Sequence, residues 1–381
     1  MDRLIVCQGT AQLVTAVAAL QKHVTTSGPH AAREQSRDHL LICGLAVAEP
    51  QIQAFTRVIE QMAALLHPFS TVSHLSDYDL ATLLRTAQRA SSAIEVAALL
   101  RRMTGVNNVD EVFAVRDWQT CNVLAFNAFP DANHICYGDS IGVYLPRGFM
   151  AGEPSVGSRL SGALRSLLGS PPALLLAPRV DVSYLLLPGA FGVPPSGEVI
   201  RTEAPPLRNL FTRLGPLLDE VALNDLRQRT AGRPVWVLMG SNFSEQGVMT
   251  PQAELSAYKD WISGLRPEPS SILLIKSHPR DRTGKREKLE QQLRGLFSQI
   301  LSADSAGSAY LPVEALLLNL MPSAANLRTL TVSTACLATT FVLGSRTDIG
   351  FGDELVMKYV VANHRRERCQ HESDLRRLCA A

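Results

Sequence analysis

Residues 2–23, DRLIVCQGTAQLVTAVAALQKH, pass from the apolar run Leu4 to Cys7 through Gln8-Gly9-Thr10 into apolar residues at helical spacing. That pattern predicts a strand, a tight turn and an amphipathic helix. The alternation continues outward from it. HLLICGLAV (39–47) reads as a second strand and QIQAFTRVIEQMAALL (51–66) as a second helix, and AIEVAALLRRM (93–103) as a further helical region. EVFAVR (111–116), NVLAF (122–126) and HICYG (134–138) look like further strands, and VSYLLLPGAFGVPP (182–195) closes the first half. A second series follows, with RPVWVLMGSNF (233–243) as a strand, AELSAYKDWISGL (253–265) as a helix and SILLIKSHP (271–279) as a strand. GKREKLEQQLRGLFSQI (284–300) and PVEALLLNL (312–320) read as helices, TLTVSTACLA (329–338) as strand-like, and the end of the chain as a polar helical tail. Strands alternating with helices are the signature of parallel sheets covered on both faces. Two such series, with no internal repeat, point to two facing α/β domains rather than a solenoid.

The 381 residues exceed one ordinary compact domain, and the 46% hydrophobic content is enough to fill two cores. A net charge of +2 excludes a nucleic-acid coat or a polybasic membrane binder, so no nucleic-acid partner is expected. The seven cysteines are odd in number and never at metal or redox spacing, and several sit in apolar runs as small buried hydrophobes. A reducing cytoplasm is the expected compartment. Asp2, Gln8, Gly9, Thr10 and Gln12 interrupt the amino-terminal apolar run, so it does not read as a signal peptide. Pro322, Asn326 and Arg328 break the apolar stretches at 316 to 344, so no membrane span is expected; peripheral attachment to the inner membrane face stays open. Residues 151 to 180 are rich in Gly, Ser and Pro but carry Leu160, Leu164, Leu167 and Leu168 at helical spacing, which predicts a helix with flexible flanks.

Open α/β sheets put their chemistry at the carboxyl ends of strands. Two strand-like runs end in titratable groups. Asp139 follows His134-Ile135-Cys136-Tyr137-Gly138 and precedes Ser140-Ile141-Gly142, a carboxylate between glycines that permit close approach of a ligand. Capping of a turn by the same Asp is the structural alternative. His278 follows Lys276-Ser277 and precedes Pro279-Arg280-Asp281; the proline holds the histidine extended. Lys276, Arg280, Arg282, Lys285, Arg286 and Lys288 make that neighbourhood basic and suited to an anion, or else form a solvated charged loop. Glu314 opens an apolar helix, where the helix dipole alone would favour it, and Ser333-Thr334 stands at a strand-to-helix junction fit for capping or for holding a phosphate. No GxGxxG and no Walker motif is present. His364, Cys369 and His371 in the tail match no defined metal site, and the tail reads as a solvated helix.

In order, YGDSIG, KSHPRD, PVE and the Ser-Thr pair resemble the bacterial polysialyltransferase family and the related lipooligosaccharide sialyltransferases, and the opening CQGTAQL is similar to the family's first strand and turn. The resemblance implies an α/β GT-B fold, with two Rossmann-like domains facing a central cleft: residues 1–228 on the acceptor side and 229–381 binding the CMP-sugar, with the last helix packing back on the first domain. It implies an inverting transfer of sialic acid from CMP-sialic acid to a glycan or glycolipid hydroxyl. Asp139 would be the general base. His278 would engage the CMP phosphate and protonate it as it leaves, Glu314 would lie near the cytidine ribose, and Ser333 and Thr334 would hold the phosphate. Gly138, Ser140, Gly142, Pro279 and Arg280 complete the implied substrate-binding set. No cofactor and no metal is expected, because a monophosphate leaving group carries less charge than a diphosphate and can be met by an imidazole, hydroxyls and a helix dipole. Ser140 stands where the family commonly has glycine, and the hydroxyl pair is Ser-Thr rather than Ser-Ser. The same residues leave open a transferase for another CMP-activated acidic sugar such as Kdo, or a catalytically silent homologue that binds a polyanionic glycan through residues 276 to 288.

Overall fold

The computed structural model describes residues 1–26, 36–45, 47, 49–89, 93–115, 120–138, 179–187, 197–307, 310–321 and 325–380. Asp139, Ser140 and Gly142 lie outside the described residues, as does most of the helix expected over 151 to 180. The chain divides into two compact units, Met1–Ala46 with Ile52–Glu203, and Ala204–Ala381 with the short segment Val47–Gln51.

In the first unit the strands are β1 (Asp2–Cys7), β2 (Arg37–Ile42), β3 (Thr71–His74), β4 (Glu111–Ala114), β5 (Asn133–Gly138), β6 (Val182–Leu185) and β7 (Glu198–Arg201). They form one sheet in the order β3-β2-β1-β4-β5-β6-β7, parallel throughout. Its described helices are α1 (Thr10–Thr26), α2 (Ile52–Leu66), α3 (Asp77–Arg89), α4 (Ala93–Thr104) and α5 (Thr120–Ala128). Every residue of β1 is buried, as expected of a central strand covered on both faces.

The second unit opens with α6 (Ala204–Thr212) and α7 (Glu220–Thr230), then alternates β8 (Val235–Met239), α8 (Pro251–Gly264), β9 (Ile272–Lys276), α9 (Lys285–Leu293) and β10 (Gln299–Ser302). It continues through α10 (Val313–Leu320), β11 (Leu327–Thr331), a helical segment that starts α-helical at Ala335–Leu337 and becomes π-helical over Ala338–Leu343, β12 (Arg346–Ile349), α11 (Asp353–Tyr359) and α12 (Arg365–Ala380). The sheet order is β10-β9-β8-β11-β12, again parallel. Alternate residues of β8 feed two cores. Trp236 and Leu238 pack with Tyr258, Trp261 and Phe351 on one face, while Val235, Val237 and Met239 pack with Leu316, Leu317 and Leu320 on the other.

Four expectations change. NVLAF is part of helix α5, not a strand: Cys121 through Phe126 are all buried, so the helix has no polar face to give it a helical period. The helix expected over 284–300 ends at Leu293, and Gln299–Ser302 form β10. The boundary expected at 228 to 229 falls at Glu203 and Ala204, because Leu223 and Leu226 of α7 belong to the core that holds Val235 and Val237. The closing helix α12 is not merely solvated: it packs on β12 and α11, and Arg368, Glu372 and Asp374 are buried. No described helix is long and apolar enough to cross a membrane.

Candidate functional site

The second sheet reverses its order of growth at β8: β9 and β10 add on one side, β11 and β12 on the other. Such a switch point, at the carboxyl ends of the strands, is where a parallel sheet opens a crevice for ligands. The register shows which residues arrive there. Leu238 pairs with Leu330, and Ser241 and Ser333 each follow the end of their strand by two residues. Met239 pairs with Lys276, so two positions on His278 stands level with the same Ser241. Residues far apart in sequence therefore leave adjacent strands at one height.

His278 sits in a closed turn. Asp281 donates its backbone N–H to the His278 carbonyl at 2.9 Å, and its carboxylate accepts the His278 backbone N–H at 2.9 Å. The Arg280 backbone N–H donates to His278 Nδ1 at 3.0 Å. Because Nδ1 accepts, the proton of the neutral ring is on Nε2. Burial, together with the nearby charges of Arg280 and Lys285, pushes the imidazole down to about 4, so the neutral form prevails at physiological pH. Gly240 lets the strands approach: a Cβ there would lie 3.2 Å from the Lys276 carbonyl and 3.3 Å from the His278 nitrogen.

Three of the six basic residues near His278, Lys276, Lys285 and Arg286, are paired with carboxylates. Lys276 pairs with Asp304 at 2.7 Å; burial lowers its pKa, while Asp304 and Glu314 act to raise it. Glu314 is thus brought electrostatically close to the strand end; it is buried in the first turn of α10. Lys285 meets Glu245, Glu254 and Asp281, each at 2.9 Å. Arg286 pairs with Glu287 and donates to Ser302 Oγ at 2.6 Å. Arg280 is exposed and Pro279 half-buried.

On the other side of the switch, the Ser333 backbone N–H donates to Thr331 Oγ1 at 3.1 Å, and the Ser333 hydroxyl lies 3.2 Å from the same oxygen. Thr334 directly precedes the short α-helical turn and is partly exposed, as is Ser333. The structure therefore brings His278 and Ser333 to the ends of β9 and β11, the two strands that flank β8 in one sheet. In the first unit, Gly138 ends β5, paired with Leu185 of β6, and Tyr137 donates its hydroxyl to the Val6 carbonyl. That fixes a strand end immediately before Asp139.

Sequence reading missed Ser241, Glu254 and Tyr258, and it took Lys285 only as one of several basic residues near His278. The Ser241 hydroxyl donates to Glu254 Oε1 at 2.7 Å and accepts from Tyr258 at 2.9 Å, and Glu254 is fully buried. The available signal was GSNF after an apolar strand in the second series, the same strand-to-polar transition that singled out His278.

A family model described as alpha-2,8-polysialyltransferase (POLYST) matches residues 4–324, a range that includes Asp139, His278 and Glu314 and stops short of Ser333 and Thr334. Comparison with curated proteins gives no match. Among solved structures, a putative UDP-N-acetylglucosamine 2-epimerase from Listeria monocytogenes aligns at TM-score 0.49 and 9% identity over 99% of this chain and 88% of that one. The S. aureus MnaA–UDP co-structure aligns at TM-score 0.46 and 11% identity, over 99% and 89%. An E. coli structure described as trehalose-6-phosphate bound with UDP-2-fluoro glucose aligns at 0.42 and 9%, over 100% and 95%.

Proposed function

Because the chain belongs to the alpha-2,8-polysialyltransferase family, a family of glycosyltransferases, we propose that it transfers sialic acid, with inversion, from CMP-sialic acid to a glycan or glycolipid hydroxyl. The observation that supports the reading is that His278, Ser241 and Ser333 each follow the end of one of three adjacent parallel strands beside the switch point. A neutral imidazole with its proton on Nε2 is a hydrogen-bond donor, and it meets a phosphate oxygen without placing a third cation beside Lys276 and Lys285.

In this reading the CMP phosphate lies across the strand ends. His278 donates a hydrogen bond to it from Nε2–H, which strengthens as the anomeric bond breaks and negative charge develops on the phosphate. Ser333 and Thr334 supply hydroxyl and backbone donors, Arg280 adds positive charge, and Pro279 fixes the turn. Glu314 accepts from the ribose hydroxyls. Asp139, flanked by Gly138, Ser140 and Gly142, takes the proton from the acceptor hydroxyl as that oxygen attacks the face opposite the departing phosphate. No divalent ion is required, and the site of action is the cytoplasmic face of the membrane. The commitment of Lys276, Lys285 and Arg286 to carboxylates weighs against a silent polyanion binder acting through residues 276 to 288.

Release of CMP from CMP-sialic acid, measured with sialylated and neutral acceptors and with or without chelator, tests the reading. Wild-type turnover should resist chelation, and Asp139→Ala and His278→Ala should each lower it by about 100-fold or more. Turnover only with CMP-Kdo would move the donor to another acidic sugar, and folded protein inactive with every CMP-sugar would refute the transferase.

A further inference from the structure

We infer that Lys285 is a positioning residue of the phosphate pocket: by joining Asp281 to Glu245 and Glu254, its ammonium fixes the turn that holds the His278 ring in its Nε2–H form. The inference rests on the proposed phosphate site.

Helix formation does not explain this lysine. Lys285 is the first residue of α9, where the helix dipole disfavours a cation. Its side chain is largely buried, which also opposes the charge. Glu254 and Asp281 outweigh that burial, and the ammonium's pKa lies above its ordinary value. The ammonium ties together two strand-end loops. From the loop after β8 it takes the Ser241 carbonyl and Glu245, and from α8 it takes the fully buried Glu254. From the loop after β9 Asp281 Oδ1 stands 2.9 Å from the ammonium as an ion pair, while Oδ2 accepts the His278 backbone N–H. Glu245 in turn accepts the Arg282 backbone N–H at 3.3 Å, so the turn is held at both ends.

Without the ammonium, three carboxylates face one another and Asp281 has no reason to stay over the His278 nitrogen. The turn then relaxes, and with it the Arg280 N–H that selects the tautomer. Lys285 touches no substrate in this account, so its removal should act through His278.

The test combines nitrogen-15 NMR of the His278 ring, assigned by its disappearance in His278→Gln, with calorimetric binding of CMP and thermal unfolding. In wild type, Nδ1 should be unprotonated and Nε2 protonated at neutral pH. Lys285→Met and Asp281→Ala should each give a mixture of tautomers, and in each the Kd for CMP should rise about 10- to 100-fold. Lys285→Arg should restore the single tautomer. Should Lys285→Met fail to fold, Lys285→Met combined with Glu245→Gln relieves part of the carboxylate repulsion and takes its place, with Asp281→Ala as the independent variant. Folded variants that keep the Nε2–H tautomer and bind CMP within twofold of wild type overturn the inference. If wild type binds no CMP, the phosphate reading fails on its own, and the tautomer comparison still decides the positioning role.

Discussion

His278 is kept neutral by its surroundings, and that has a consequence for stability. Its folded pKa of about 4 lies below the ordinary value of 6.5, so the unfolded chain binds the proton more readily. Stability on this account is full above about pH 6.5 and falls as pH drops toward 4. His371, pushed down to about 3 by burial and by Arg368, acts in the same direction. Denaturant titrations at several pH values should show a shallower loss for His278→Gln than for wild type, by up to about 3 kcal/mol across that window. Parallel pH slopes for the two proteins would show that His278 is not held neutral. The imidazole was legible in the sequence because Pro279 follows it; its tautomer was not, because the Arg280 N–H reaches Nδ1 only when the turn closes.

The elements the sequence marked most clearly are the central strands, whose unbroken apolar runs VWVLM and ILLIK follow from burial on both faces. The strands it failed to mark, β3, β7, β10 and β12, are the edges of the two sheets. Edge strands are short and need no continuous apolar run, so TVSH and RTDI carry no periodic signal. Helix α12 was underestimated for the opposite reason: its charges face inward. Arg368 donates to Glu372 at 2.9 Å, lies 4.7 Å from the Phe243 ring centre and donates to the Val332 carbonyl, next to Ser333. Glu372 accepts the Gly352 N–H at 2.8 Å, and Gly350 must be glycine because any Cβ would meet the Glu372 carboxylate. Arg368→Met should therefore cost about 3–5 kcal/mol in urea unfolding, while Arg368→Met with Glu372→Leu should recover much of it. A single variant within about 0.5 kcal/mol of wild type would show that the pair does not brace the loops.

At the scale of the whole chain, the unit boundary before Ala204 makes its own prediction. A fragment of residues 204–381 keeps Leu223 and Leu226 on the core with Val235, whereas one of residues 229–381 loses both, a deficit of about 3–6 kcal/mol. The longer fragment should unfold cooperatively on heating and the shorter should not; equal behaviour would return α7 to the first unit. The family match over residues 4–324 spans both units, so the proposed activity belongs to the full chain and not to either fragment.

By itself the sequence determined the two α/β series, the strands that would be central, and two titratable residues at strand ends, because these depend on periodicity and on neighbours along the chain. It also carried the family, through short motifs in a fixed order. Only the tertiary structure decided what stands beside what. Strand order places β11 next to β8, so Ser333 and Ser241 follow the ends of adjacent strands at a switch point that no local pattern encodes. Lys285 meets carboxylates from three segments of the chain. A charge reads as solvated when its partners lie tens of residues away, and folding supplied those partners.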